Sequence, residues 1–312
     1  MANKLGSYGK IYNLGHRAVR DLLKFPVQVQ EKIDGSQFSF GVRGGVLNMR
    51  SKRAVVHVGN DPGQFRLASK TVQALFAAGK LEEGWTYRGE AVTKPKHNHI
   101  VYGRIPVGGI ILFDIDRGEE DLLNYIELTL VAQKLGLEVV PMFEAGRIEL
   151  VEYLATLCDR KSILGGESNI EGIVIKPTVP LFDTLTGKTL RAKVVMPEFR
   201  ETQKNSWRSV NPNKTEFIEA LVKKLTTEAR WRKAIQALRD EGVLDNSPKD
   251  IGPLLKEISQ DTLEEEGDAI ADALLKHFWK KNISRGITRG FPEFYKQYLI
   301  ELQFGESTDE EE

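Results

Sequence analysis

Short stretches in which apolar and polar residues alternate fill the first two thirds of the chain. Pro26–Gln30 (PVQVQ), Gln37–Val42 (QFSFGV), Thr86–Val92 (TYRGEAV), Gly109–Ile115 (GIILFDI) and Gly172–Ile175 (GIVI) are bounded by turn-forming residues and predict strands. Helical spacing interrupts them near Thr71–Ala78, Leu122–Leu135 and Glu149–Asp159. Strands and helices mixed in this way predict an α+β domain of antiparallel sheets with flanking helices.

Farther on, the pattern becomes wholly helical. Phe217, Ile218, Leu221, Val222 and Leu225 follow one helical face, with Asn213 and Glu216 spaced as a cap. Asp261 and Glu264 have the spacing of a second capping box, predicting a helix start ahead of Ile270, Leu274, Leu275 and Phe278. Pro292 stands where a first helical position would be, before Tyr295, Tyr298, Leu299 and Leu302. Glycine marks the same division, since 22 of the 28 glycines precede residue 205. The expected organisation is a sheet domain over 1–205, a linker near Lys204–Asn213, an all-helical domain over 206–305 and an acidic tail over 306–312. No repeat of domain-building length is visible.

Charge changes this picture little. The chain has 44 basic and 44 acidic residues, but five of the acids lie in the tail, leaving 44 against 39 on the body. One cysteine, Cys158, excludes an intramolecular disulfide, and its place in an apolar helical pattern predicts a core residue. No apolar run is long enough for a membrane helix, and the N-terminus lacks the apolar core of a signal peptide. A cytoplasmic monomer, from a bacterium or encoded by a virus or phage, is expected.

Candidate chemistry begins at Glu31-Lys32-Ile33-Asp34-Gly35, a lysine held at a bend between two strands. Alone, this could be an ordinary turn with a solvated lysine. Five segments follow in order: Ser51-Lys52-Arg53, Arg88-Gly89-Glu90, Phe113-Asp114-Ile115, Glu171-Gly172-Ile173-Val174-Ile175-Lys176 and Arg191-Ala192-Lys193. Together they supply what nucleotidyl transfer needs. A lysine nucleophile must lose its proton, the attacked phosphate needs cationic donors, and a carboxylate can hold a divalent metal. Alternation places Arg88 and Glu90 on one face and Arg191 and Lys193 on one face. Glu171 and Lys176 are five apart, so either the strand bends near Gly172 or one residue sits at its end.

This ordered set resembles the covalent nucleotidyltransferases, the superfamily of DNA ligases, RNA ligases and mRNA capping enzymes. Glu31-Lys32-Ile33 with Gly35-Ser36, Val101-Tyr102-Gly103 before Phe113-Asp114-Ile115, and Arg191-Ala192-Lys193 before Phe199 are similar to the nick-sealing phage RNA ligase branch. The resemblance spans about residues 28 to 201. It implies ATP and Mg²⁺ or Mn²⁺ as cofactors, and RNA, at nicks or ends, as the partner. It implies catalytic roles for Lys32, Glu171, Lys176 and Lys193. Glu31, Ile33, Arg53, Glu90, Phe113 and Arg191 join these four, except that Lys32 itself bears the AMP, in binding the nucleotide. Arg53 would contact the nucleotide or an RNA 5′-phosphate, Glu90 the ribose, Phe113 the adenine, and Lys176 and Lys193 the α-phosphate. Glu171 and Asp114 are the metal candidates. Two positions depart from the branch: Gln37 stands where Asn is usual, and Arg191 where Lys is usual.

Two other readings remain open at this point. A DNA ligase or capping guanylyltransferase would carry an OB-fold after the first domain, whereas this C-terminal part reads as helix. The second is an inactive nucleic-acid-binding homologue. The basic-aromatic clusters Arg230-Trp231-Arg232-Lys233 and Lys276…Trp279-Lys280-Lys281…Arg285…Arg289 suit phosphate tracking, so the helical domain is expected to help engage the nucleic acid. Those clusters could equally be solvated helix faces. His97 and His99 lack a third ligand nearby and predict a loop rather than a zinc site.

Overall fold

The computed structural model describes residues 5–59, 62–196, 214–279 and 283–305. The predicted linker at Lys204–Asn213, the cap at Asn213, Phe199, Lys280, Lys281 and the tail 306–312 lie outside these residues. By internal packing the chain divides into two units, Met1–Asp261 and Thr262–Glu312.

The first unit is built on two sheets. One has the order β1 (Ile11–Asn13), β10 (Arg191–Val195), β9 (Gly172–Pro177), β2 (Val27–Lys32) and β8 (Met142–Gly146). The other has the order β4 (Val46–Ser51), β3 (Ser36–Arg43), β5 (Thr86–Ala91), β6 (Ile110–Asp116) and β7 (Glu138–Val139). Pairing is antiparallel except for β1 with β10 and β6 with β7. The fold is therefore α+β with largely antiparallel sheets.

Each sheet buries one face, as its alternation requires. Phe38, Phe40, Tyr87, Leu112 and Ile115 of the second sheet pack against α1 (Arg66–Ala77) and α2 (Tyr125–Leu135), through Val72, Leu75, Leu128 and Ala132. Asn124 caps α2 in a reciprocal box with Glu127, so the helix begins three residues later than the apolar pattern at Leu122 suggests. Val27, Val29, Ile173, Ile175 and Ala192 of the first sheet pack against α3 (Val151–Thr156) and its end, including buried Cys158. A third cluster, with Ile33, Val92, Ile100, Tyr102 and Ile111, closes one end between the sheets. The remaining polar faces of the two sheets look at each other across a cleft.

Helices α4 (Lys214–Leu225), α5 (Glu228–Asp240) and the start of α6 (Ile251–Phe278) belong to the first unit by packing. The expected helix start at Asp261 is corrected: Asp261 lies inside α6, which begins ten residues earlier. The Asp-x-x-Glu spacing is also that of one helix face, and Asp261 is buried to receive Arg230 at 3.3 Å and Lys233 at 3.2 Å. In the second unit, the rest of α6 is followed by α7 (Ser284–Ile287) and α8 (Phe291–Gly305), with Pro292 in the first turn of α8. No helix among the described residues is long and apolar enough to cross a membrane.

Gly172 of β9 has no room for a side chain against β10. A Cβ there would lie 2.1 Å from the Val194 carbonyl oxygen. Gly172→Ala is expected to lower stability by about 1–3 kcal/mol, as forced overpacking does, read as a shift in the urea unfolding midpoint. An unchanged midpoint would show that β10 can move aside without cost.

Candidate active site

The register of the first sheet decides which side chains reach the cleft. Gln28 pairs with Lys176, Gln30 with Val174 and Lys32 with Gly172 across β2 and β9. Lys193 pairs with Val174 and Ala192 with Ile175 across β9 and β10, so Arg191 falls beside Lys176. Since Ile173, Ile175 and Ala192 face the apolar core, Lys32, Lys176, Arg191 and Lys193 share the opposite, cleft face. Glu31 alternates to the core side instead, where its carboxylate accepts the Ile163 N–H at 3.1 Å. Ile33 is a core residue. The side chains of these two expected nucleotide-binding residues therefore do not line the cleft.

Lys32 ends β2, and its Nζ donates to Glu171 Oε2 at 2.6 Å. Glu171 sits just ahead of β9, which resolves its five-residue spacing from Lys176: it is outside the regular strand. Burial alone would press the Lys32 ammonium down, but Glu171, Glu90 and Asp34 outweigh it and raise its pKa. Glu171 is raised by burial against the pull of Lys32 and Lys193. Glu90 reaches the same place from β5. It has no hydrogen bond from a described residue, and burial pushes it up to about 8 despite Lys32. A carboxyl raised in this way, with no hydrogen bond from a described residue, suits a hydroxyl-bearing ligand.

The loop between Lys32 and β3 is held from two sides. Asp34 Oδ2 accepts the N–H groups of His99 at 2.6 Å and Ile100 at 2.8 Å, and the Asp34 N–H donates to the Tyr102 hydroxyl at 2.7 Å. Asn98 donates to the Gly35 carbonyl at 3.0 Å. From the other side, α5 sends Gln236 to the same carbonyl at 2.8 Å, and Asp240 accepts from the Ser36 hydroxyl at 2.9 Å. His97 completes the set, its Nε2 lying 3.0 Å from Ser36 Oγ. Burial lowers His97 to about 4, so its ring is neutral and structural. Among the described residues no group of three His, Cys, Asp or Glu side chains is placed to hold a metal.

Deeper in the cleft the sheets are joined by charge. A bulge in β6 at Phe113 lets Asp114 stand opposite Arg88. Lys176 donates to Asp114 Oδ1 at 2.8 Å and to the Phe113 carbonyl at 2.8 Å. Arg191 lies 3.7 Å from Asp114 and 3.6 Å from Glu120, and the Tyr8 hydroxyl donates to Asp114. Lys176 and Arg191 hold Asp114 below the usual carboxylate range although burial would raise it. Asp114, one of the two metal candidates, is thus engaged by two cations and a hydroxyl. Glu171 keeps one oxygen without a hydrogen bond among the described residues. Phe113 is half-buried, with Tyr8 at 5.1 Å between ring centroids and Lys176 Nζ 5.5 Å from its own.

Arg53 lies on the loop after β4, and Ser51 of that strand pairs with Phe38 of β3, close to Ser36. Its Nη1 donates to Glu257 of α6 at 2.5 Å and lies 3.6 Å from Glu241, the residue after α5. In the basic cluster of α5, Arg230 and Lys233 are given to Asp261 and Arg232 to Glu228, while Trp231 is exposed. Sequence reasoning missed Tyr8, Gln236, Asp240, Glu241 and Glu257. Tyr8 had no strand pattern around it, and the other four act across about 200 positions, where local pattern carries no signal.

The Glu90 shift has a thermodynamic consequence. An acid raised from 4.5 to about 8 stabilises the fold fully below its unfolded value and loses that contribution as pH rises through about 8. Glu90→Gln is therefore expected to gain stability over the parent protein as pH climbs from about 5 to 8, in the absence of nucleotide. A pH-independent difference in melting temperature would show that Glu90 is already ionised in the fold.

The comparisons with known proteins bear on this cleft. Solved structures of an RNA ligase from Naegleria gruberi are similar. With PPi, that enzyme is 15% identical, 64% of this chain covers 58% of it, and the TM-score is 0.47. A variant of it with ATP and Mn is 16% identical over 62% of this chain and 57% of that one, with a TM-score of 0.47. This chain thus spans a little under three fifths of the structures it matches. No curated protein matches in sequence. A family model described as RNA ligase matches residues 25–195, from the start of β2 to the end of β10, and with more than half of its length inside that match the chain belongs to the RNA ligase family.

Proposed function

We propose that the protein is an ATP-dependent RNA ligase that takes AMP onto Lys32 and passes it to an RNA 5′-phosphate, sealing it to a 3′-hydroxyl at nicks in duplex RNA. The observation that carries this reading is the pairing of Lys32 with Glu171 at 2.6 Å, under Glu90 and beside Lys193, at the mouth of a cleft lined by charge. Lys32 Nζ attacks the α-phosphorus of ATP, the P–N bond forms and the P–O bond to pyrophosphate breaks. The ammonium must first lose a proton, and Glu171 is the nearest acceptor. Lys193 offers positive charge where the attacked phosphoryl group becomes more negative. Glu90 suits the ribose hydroxyls, and Phe113 offers a ring edge of the cleft to the base.

The AMP then moves to the 5′-phosphate of the RNA, and attack of the 3′-hydroxyl on that adenylated end releases AMP and leaves a phosphodiester. A divalent cation, Mg²⁺ or Mn²⁺, would supply charge to the phosphate oxygens, and Glu171 is the residue suited to hold it. Such an ion would need only one carboxylate from the protein, because substrate phosphates would supply further oxygens. The region after β10 offers helices rather than an OB-fold among its described residues, which favours the RNA ligase reading over a DNA ligase or capping enzyme.

Protein mixed with α-labelled ATP and Mg²⁺, without RNA, should acquire a covalent label that Lys32→Ala abolishes. Lys193→Ala should slow labelling by about 10²–10³, as loss of a charge-stabilising donor does. Label from GTP instead would move the function to capping, and no label from either nucleotide, in protein free of pre-bound AMP, would leave a binding homologue. Because Glu171 helps hold Lys32 above its ordinary value, the labelling rate should climb as pH rises from neutral into the alkaline range. A flat profile would mean that loss of the Lys32 proton does not limit the reaction.

A further inference from the structure

Helix α5 is remote from Lys32 in sequence, yet its C-terminal turns hold the loop that follows the lysine. Gln236 donates to the Gly35 carbonyl at 2.8 Å. Four residues on, from the same helical face, Asp240 accepts the Ser36 hydroxyl at 2.9 Å. The helix is itself anchored. Gln64, ahead of α1, donates to the Arg239 carbonyl at 2.9 Å, and Arg230 is given to Asp261 of α6.

The Asp240 bond ends a chain whose direction is fixed. Burial keeps the His97 ring neutral, so the ring carries one N–H. Its Nδ1 accepts the Thr93 N–H at 3.3 Å, which leaves the proton on Nε2, 3.0 Å from Ser36 Oγ. His97 therefore donates to Ser36, and the single Ser36 proton needs a different acceptor, which Asp240 supplies. Ser36 and His97 are buried, where a hydroxyl left without that acceptor costs more than a hydrogen bond ordinarily contributes. Burial raises Asp240 itself to about 7, and buried acids raised in this way gather at functional sites. The loop also rests on the site: a Cβ at Gly35 would lie 2.9 Å from the Cβ of Glu90, whose charge acts on Lys32. A shift of Gly35 against Glu90 is thus passed to Lys32, three residues earlier.

We infer that Gln236 and Asp240 are positioning residues for the adenylylation of Lys32, with α5 clamping the Gly35–Ser36 backbone so that Nζ is aimed at the α-phosphorus. The inference rests on the ligase reading above, and it extends the AMP-accepting unit past β10 to α5. Neither residue touches the reacting atoms; both act through the loop. Such leverage is large, because a nucleophile displaced by about 1 Å can lose about 10² in rate.

The test separates the step in which Lys32 is the nucleophile from the step in which it is not. Full-length Gln236→Ala, Asp240→Ala and Asp240→Asn are compared with the parent protein in two reactions: labelling by α-labelled ATP, and sealing of nicked RNA already adenylated at its 5′ end. Both alanine variants should slow labelling at saturating ATP by about fivefold or more, the size of one lost hydrogen bond. The ATP concentration for half-maximal rate and the sealing of adenylated RNA should change by less than about twofold, since neither depends on the aim of Nζ. Asp240→Asn keeps an oxygen for Ser36 and should label at close to the parent rate. Equal losses in both reactions overturn the inference, as does a labelling rate unchanged in both alanine variants or as low in Asp240→Asn as in Asp240→Ala. Gln236 is half-buried, so its variant decides the matter if Asp240→Ala does not fold. No label in the parent protein removes the ligase reading and this inference with it, whereas label in the parent with unaffected variants removes this inference alone.

Discussion

Asp114 receives two cations from the opposite sheet, Lys176 at 2.8 Å and Arg191 at 3.7 Å, and this buried cluster is the constraint on which the cleft depends. Each sheet buries one apolar face on its own helices, so the facing surfaces are polar by default. Polar faces cannot be brought together without water unless their charges are matched, because each desolvated ion costs several kcal/mol. The cluster matches them near the bulged Phe113, where the backbone carbonyl also takes Lys176. Lys32, Glu171 and Glu90 can then stand at the other end with their charges incompletely satisfied. The nucleophilic role proposed for Lys32 draws on that contrast: a neutralised floor and a partner that the lysine can give up.

The nucleophile loop shows the same division of labour. Asp34, nominally a turn residue, uses one carboxylate oxygen for two backbone N–H groups of the 97–102 segment. Gly35 gives its carbonyl to both Asn98 and Gln236. The loop is thereby fixed by groups other than Lys32, whose own side chain is held by Glu171. Tyr102, from the Val101-Tyr102-Gly103 motif, is one of these supports, with its hydroxyl committed to the Asp34 backbone.

Much of this was legible in the sequence because strand period is two. The alternation of Val27, Val29, Ile173, Ile175 and Ala192 determines the core face, and with it the cleft face that carries Lys32, Lys176, Arg191 and Lys193. The same rule, followed through, also turns Glu31 away from the cleft; there the motif's residue identity and its side-chain direction part company. What local pattern could not show was any contact made by α5 and α6. Gln236 meets Gly35, Asp240 meets Ser36 and Glu257 meets Arg53 through packing between segments some 200 residues apart, and no periodicity encodes such a meeting. The Asp261 spacing misled for a related reason, since a residue three before a Glu is as common along a helix face as at its start.

Arg191 has surroundings that suit a guanidinium, and part of them comes from the N-terminal segment. Its guanidinium carbon lies 4.1 Å from the Tyr8 ring centroid. Glu120 stands on the far side at 3.6 Å, and Asp114 at 3.7 Å. A planar, delocalised cation can stack on a ring and face two carboxylates at once; a lysine ammonium is a point charge on a flexible stem and would satisfy one of the three at the expense of the others. Arginine at 191 is thus the residue that the Tyr8–Asp114–Glu120 enclosure requires. Lys176 is bound to the same Asp114, so the two neighbouring cations of β9 and β10 converge on one carboxylate.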